Sequence, residues 1–156
     1  MAQFDYKMEH VFSYNATLTQ PEIIGTVPDD IRANFYVTGG EVWAPDGAKI
    51  GKVRAVGGDW MTIRRDGKGV LDVRATVETH DGALLYAVYN GLVDLGPDGY
   101  ENLLAGRLPE RAPIRAAPRI ATSSAAYAWV NGCQFINIGE VQFRKGIVTY
   151  DVYALR

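Results

Sequence analysis

A chain of 156 residues, 47% hydrophobic and 22% charged, suits one domain with a buried core. The net charge of −2, with Lys and Arg dispersed, gives no electrostatic footprint for nucleic acid. Cys133 is the single cysteine, which excludes an internal disulfide, and neither a signal-like apolar stretch at MAQFDYKMEH nor a bilayer-length apolar run is present, so a cytoplasmic setting without membrane association is expected.

In chain order, short runs of aromatic and β-branched residues alternate with Gly, Asp, Asn and Pro. Strands are expected at Lys7–Leu18, Ile31–Thr38, Glu41–Trp43, Ala48–Ala55, Trp60–Arg64, Gly69–Thr79, Leu84–Val93, Ala125–Val130, Cys133–Phe143 and Ile147–Leu155. Pro45-Asp46-Gly47, Arg65-Asp66-Gly67, His80-Asp81-Gly82 and Arg144-Lys145-Gly146 each supply a glycine where a hairpin needs positive φ. Such short spacers make their flanking strands antiparallel neighbours. Asp94 to Ser124 contains Pro97, Pro109, Pro113 and Pro118 and reads as one long Pro-rich loop, either a lid, a binding loop or a partner arm, or a cover for a sheet edge. Arg111, Arg115 and Arg119 fall in that loop and read as a solvated series, and Asn102-Leu103-Leu104 suits a single helical turn. The expected fold is all-β: one closed or nearly closed antiparallel β-barrel of about eight to ten strands over residues 1–156.

Between Asp72 and Glu78 every second residue is polar (Asp72, Arg74, Thr76, Glu78), while Leu71, Val73, Ala75 and Val77 take the opposite face. In a closed barrel one of these faces lines the interior. Asp59, between Gly57-Gly58 and Trp60, is either a partly buried acid with a raised pKa, suited to proton transfer, or a turn aspartate bonding a backbone N–H. Tyr127, Trp129 and Asn131 alternate on one face of their expected strand and read either as a ligand wall or as core followed by an Asn-Gly turn. His10 alternates with Met8, Phe12 and Tyr14 and is expected to point inward, as a core residue or a ligand contact. Two distant histidines, one cysteine and scattered carboxylates form no metal-ligand pattern, and no nucleophile elbow or phosphate loop is present, so neither a metal nor a cofactor is expected.

Gly39-Gly40, Gly51, Gly57-Gly58-Asp59-Trp60, Asp72-Val73-Arg74, Asp81-Gly82-Ala83, Asn90-Gly91, Tyr127-Ala128-Trp129-Val130-Asn131 and Val148-Thr149-Tyr150-Asp151-Val152-Tyr153 occur in one order along the chain. That ordered set resembles the bacterial and fungal barrel family catalogued as domain of unknown function 3237, from about Leu18 to Tyr153. The resemblance implies a small closed barrel of calycin-like shape, and it favours Arg74 inside. Most members have no established activity, so it bears on fold more than on function. Departures at Val27-Pro28-Asp29-Asp30, at Glu41–Pro45 and in the Pro-rich segment fall near the implied pocket mouth.

Two functions fit these residues. One is a cofactor-free acid–base enzyme of isomerase, hydratase/lyase or cyclase type, acting on a small, partly apolar carbonyl or phenolic compound inside the barrel. In it Asp59 or Asp72 moves a proton, Arg74, Asn131 and a tyrosine hold an enolate-like oxyanion, and Trp60, Glu78, Tyr127, Trp129 and His10 contact the substrate. The other is a non-catalytic carrier using the same cavity. A homodimer is compatible with either. A third reading, a structural dimer module resting on exposed barrel edges and the long loop, predicts a filled interior with no ligand-sized void.

Overall fold

Ten strands form a single antiparallel sheet in the computed structural model, which describes residues 1–156. They are β1 (Met8–Leu18), β2 (Glu22–Val27), β3 (Asp30–Trp43), β4 (Lys49–Ile63), β5 (Lys68–Thr79), β6 (Leu84–Asp94), β7 (Arg111–Ala116), β8 (Arg119–Ala121), β9 (Gln134–Gln142) and β10 (Ile147–Leu155). Neighbours run β1-β10-β9-β7-β6-β5-β4-β3, and β3 pairs with β1 to close an eight-stranded barrel. β2 pairs with β3 outside this ring, and β8 pairs with β6. Closure removes the free edges of those eight strands and leaves β2 as the edge of the sheet. No helix is long and apolar enough to cross a membrane.

The alternation that defines the strands also decides which way they face. Leu71, Val73, Phe35, Val37, Tyr14, Ala16, Tyr150 and Val152 point inward and are buried, because the hydrocarbon face of each strand gains by leaving water. The hairpin glycines Gly47, Gly67, Gly82 and Gly146 all take positive φ, as the turn chemistry requires.

Two expected strands, Ala48–Ala55 and Trp60–Arg64, are one strand, β4, interrupted by a bulge. The β4–β5 register slips between Val53 and Gly57, leaving Arg54–Val56 without partners. Gly57 makes this possible. Its φ is +88°, and a Cβ there would stand 2.1 Å from the carbonyl oxygen of Arg74. Ile31–Thr38 and Glu41–Trp43 merge in the same way into β3, with a register shift between Tyr36 and Gly40. Glu22–Val27 adds a strand where none was expected.

The Pro-rich segment is not one long loop. It holds a short helix α1 (Gly99–Leu104) and then the strands β7 and β8. From Arg111 to Ala121 burial alternates without a break: Ala112, Ile114, Ala116, Pro118 and Ile120 are buried, and Arg111, Pro113, Arg115 and Arg119 are exposed. β7 pairs with Gly91–Val93 and β8 with Tyr86–Val88 in one continuous register, so the two are a single barrel strand broken at Ala117-Pro118. Pro113 faces outward, beyond the residues that pair with β6, and costs no ladder bond on that side.

Ala125–Val130, expected as a strand, is instead a 3₁₀ helix spanning Ala125–Gly132. It lies across one end of the barrel. Asn131 holds it there through two hydrogen bonds with the backbone of Thr122 (2.8 and 3.0 Å), and the Tyr127 hydroxyl donates to Asp81 in the β5–β6 turn (3.0 Å).

Candidate active site

The barrel interior divides into two cavities. The smaller, about 50 Å³, is walled by Phe35, Met61, Leu71, Val73 and Asp59. The larger, about 160 Å³, lies under the 3₁₀ helix and is walled by Phe12, Ile120, Trp129, Val152 and Asn137 among others. Tyr14, Val53, Ala75 and Tyr89 belong to both walls and form the partition, where the two tyrosine hydroxyls meet.

Asp59 enters the smaller cavity because β4 resumes its alternation after the Gly57 bulge. Asp59, Met61 and Ile63 then share the inward face, opposite Trp60 and Thr62. Its cross-strand neighbours are Phe35 and Val73, both buried. The β4–β5 pairing skips Trp60 and Met61 against Leu71 and Asp72, and there the Oδ1 of Asp59 accepts the Asp72 backbone N–H at 2.9 Å. Burial among hydrocarbon pushes the Asp59 pKa up from 3.8 to about 7. The Asp72 N–H and the Arg32 charge act in the opposite direction and are outweighed, while the Asp72 charge adds to the rise.

At the partition, the hydroxyls of Tyr14 and Tyr89 are hydrogen-bonded at 3.0 Å, and Asn137 Nδ2 donates to the Tyr14 hydroxyl at 3.0 Å. Tyr150 packs its ring 5.2 Å from that of Tyr14 and 6.1 Å from that of Tyr89. Burial raises the pKa of all three phenols well above 10, so they stay neutral hydrogen-bond donors at ordinary pH. The Asp59 charge also raises Tyr89 and Tyr150, which puts the carboxyl within electrostatic reach of the cluster. Neutral donors beside a carboxyl that titrates near neutrality are the components of proton transfer with oxyanion stabilisation.

The ionic row of β5 faces solvent. Asp72 and Arg74 pair at 2.6 Å on the outside, each with more than two-fifths of its side chain exposed. Arg74 lies 5.7 Å from the centre of the Trp60 ring, which also faces outward and meets Tyr36 edge-on. Glu78 reaches Lys52 and Arg54 on the same outer surface. The expectation of Arg74 inside is therefore corrected: the apolar face of the strand supplies the core, and a guanidinium displaced inward would carry the cost of a buried charge.

His10 is outside as well. The β1–β10 register shifts between His10 and Phe12, and this bulge separates His10 from the inward face of Phe12 and Tyr14. His10 Nε2 lies 2.9 Å from the Ser13 hydroxyl, which donates to Asp151, and its ring packs on Tyr153. Tyr127 and Trp129 do line the larger cavity, from the 3₁₀ helix, whereas both ends of the Asn131 amide are spent on Thr122. No three His, Cys, Asp or Glu side chains gather as a metal would require.

The interior polar groups Tyr14, Tyr89, Tyr150 and Asn137 were not among the sequence candidates. A signal existed: each stands on the apolar phase of its strand, as Asn137 does between Phe135 and Val141 and Tyr150 does between Val148 and Val152. A polar residue on a buried face is the informative exception.

Residues 6–155 match the family described as Protein of unknown function (DUF3237). A UPF0311 protein of Clostridium acetobutylicum is 31% identical over 134 residues, 82% of either chain. Another, from Bradyrhizobium diazoefficiens, is 30% identical over 125 residues, 78% of this chain and 80% of its own. Among solved structures, a protein of unknown function from Clostridium acetobutylicum superposes with a TM-score of 0.84 at 25% identity, covering 97% of this chain and all of the other. A β-barrel-like protein from Acinetobacter baumannii gives 0.80 at 24%, covering 99% of each chain. An enzyme from Penicillium herquei gives 0.71 at 20%, covering 100% and 98%. The latter two are similar in fold.

Proposed function

The chain belongs to the DUF3237 family, and we propose that this member is a cofactor-free acid–base enzyme acting on a small, partly apolar carbonyl or phenolic compound held inside the barrel. The observation that carries the reading is Asp59, a carboxyl turned into hydrocarbon with a pKa of about 7. At that pKa it is present in both protonation states at neutral pH, and can take a proton and return it. The reaction is an isomerisation or a related lyase or cyclase step. A proton leaves the carbon beside a carbonyl and passes through water in the smaller cavity to Asp59, which lines only that cavity; the enolate oxygen is held by the neutral tyrosine hydroxyls at the partition, and the proton returns at another position, so atoms and electrons balance. The oxyanion role first assigned to Arg74 passes to Tyr14 and Tyr89. The smaller cavity has room for bridging water rather than for a substrate, so the substrate body belongs in the larger one. One fold neighbour, from Penicillium herquei, is described as an enzyme, which is compatible with this reading by analogy of fold.

The largely hydrocarbon lining favours a second reading, a carrier without chemistry. Deuterium uptake separates the two. A panel of small cyclic ketones and phenols incubated in D₂O with the protein is expected to gain deuterium at carbon. The rate should rise through pH 7, and should fall at least a hundredfold in Asp59→Asn. Binding of panel members with no deuterium gain in any would remove the enzyme and leave the carrier.

A further inference from the structure

The larger cavity makes a chemical demand of its own. Asn137 is 1% exposed, and its Nδ2 is committed to the Tyr14 hydroxyl. Its Oδ1 is buried and has no hydrogen-bond partner in the protein. Proteins seldom leave a buried amide oxygen unpaired, because it has surrendered water and received nothing in return. The only other such atom, Oδ1 of Asn34, belongs to a residue of the outer face of β3, away from both cavities.

The rest of the wall offers little polarity. The Tyr14 and Tyr89 hydroxyls are hydrogen-bonded to each other, and Thr79 and Tyr127 both give their hydroxyls to Asp81. No Lys, Arg, His, Asp or Glu lines this chamber. Phe12, Trp129, Ile120 and Val152 make it a slot for hydrocarbon. Its volume of about 160 Å³ is close to that of an engineered apolar cavity of about 150 Å³ that takes up benzene.

We propose that the larger cavity is a binding site for a neutral, single-ring phenol or enol, whose hydroxyl donates to Asn137 Oδ1. This names the substrate class within the acid–base reading and rests on it for the consequence, though not for the binding. A hydrocarbon of the same shape fits but leaves Oδ1 unpaired. A ring carboxylate enters a chamber without a cation and is rejected, since a buried charge needs a partner.

Isothermal titration of the full chain with p-cresol, toluene and 4-methylbenzoate tests the assignment. p-Cresol is expected to saturate one site, toluene to bind at least tenfold more weakly, and 4-methylbenzoate not to bind. In Asn137→Leu the preference for p-cresol over toluene should fall to about twofold or less. In Asp59→Asn p-cresol binding should persist, so that failure of the binding site and failure of the chemistry are told apart. Equal affinity for toluene and p-cresol overturns the proposal, as does the absence of saturation by p-cresol, or a preference that survives in folded Asn137→Leu. Should that variant not fold, the side-chain amide resonances of Asn137 in the unsubstituted protein decide: a shift on adding p-cresol supports the site, and no shift overturns it.

Discussion

Asp59 and Asp72 sit on adjacent strands, joined through one hydrogen bond, yet the barrel wall separates them. Asp72 faces water and pairs with Arg74 on the outside. Asp59 faces hydrocarbon, and its carboxyl holds a proton until about pH 7. The two residues have the same chemistry, so environment alone makes one an exposed ion-pair member and the other a candidate proton carrier. The outer face also holds the richer array of charges, so a row of ionisable side chains does not by itself mark the interior of a barrel.

The strongest way to break the comparison is to titrate stability. Asp59 ionises near 3.8 when unfolded and near 7 when folded. Below pH 4 both states keep the proton and the group contributes nothing to the difference. As the pH rises from about 4 to about 7 the unfolded chain releases its proton first, and stability falls by about 4 kcal/mol in all before levelling off. Asp59→Asn should abolish that fall and melt on the order of 10 °C higher than the unsubstituted protein at pH 8, with little difference at pH 4. An unchanged melting profile in calorimetry would place the carboxyl in water. The same variant is the one expected to lose at least a hundredfold in deuterium uptake, so stability and activity should move in opposite directions.

A smaller effect sharpens the internal side. Tyr14→Phe removes the acceptor for Asn137 Nδ2 and the partner of the Tyr89 hydroxyl. Chemical denaturation should show a loss of about 1–3 kcal/mol, the cost of leaving buried polar groups unpaired. The smallest effect belongs outside. Arg74→Ala removes an exposed ion pair and its contact with Trp60, and should change stability by less than about 1 kcal/mol and deuterium uptake less than twofold. A large loss of uptake in Arg74→Ala would reverse the assignment of the two faces.

Local rules carried the sequence reading far. Alternation identified most strands, and the Asp-Gly and Lys-Gly turns set their pairing, because both signals lie within a few residues. β7 escaped because its outward positions are Arg111, Pro113 and Arg115, which look like loop, while its inward phase of Ala112, Ile114 and Ala116 is small and easily overlooked. Asp59 could be singled out from its glycines and its indole neighbour, but not oriented, since its direction depends on a bulge of three unpaired residues. His10 was turned the wrong way by another bulge. Tyr127, Trp129 and Asn131 could not be read as a 3₁₀ helix from alternation, which looks the same in a short strand. The tyrosine–asparagine cluster was the least legible part. Tyr14 and Asn137 stand 123 positions apart in the chain, and only ring closure brings them together.

That closure has a consequence for how the molecule is made. β1 is held on one side by β3 and along its whole length by β10, with Lys7 and Arg156 exchanging backbone hydrogen bonds at the seam. During translation the first strand must therefore wait for the tenth. Until residues 147–155 leave the ribosome there is no enclosed interior, only a curled sheet with a ragged border and greasy residues open to other chains. Any chaperone dependence or co-translational clumping should concentrate in that interval, and a stop codon shortly before Ile147 would yield insoluble product rather than a weakened barrel.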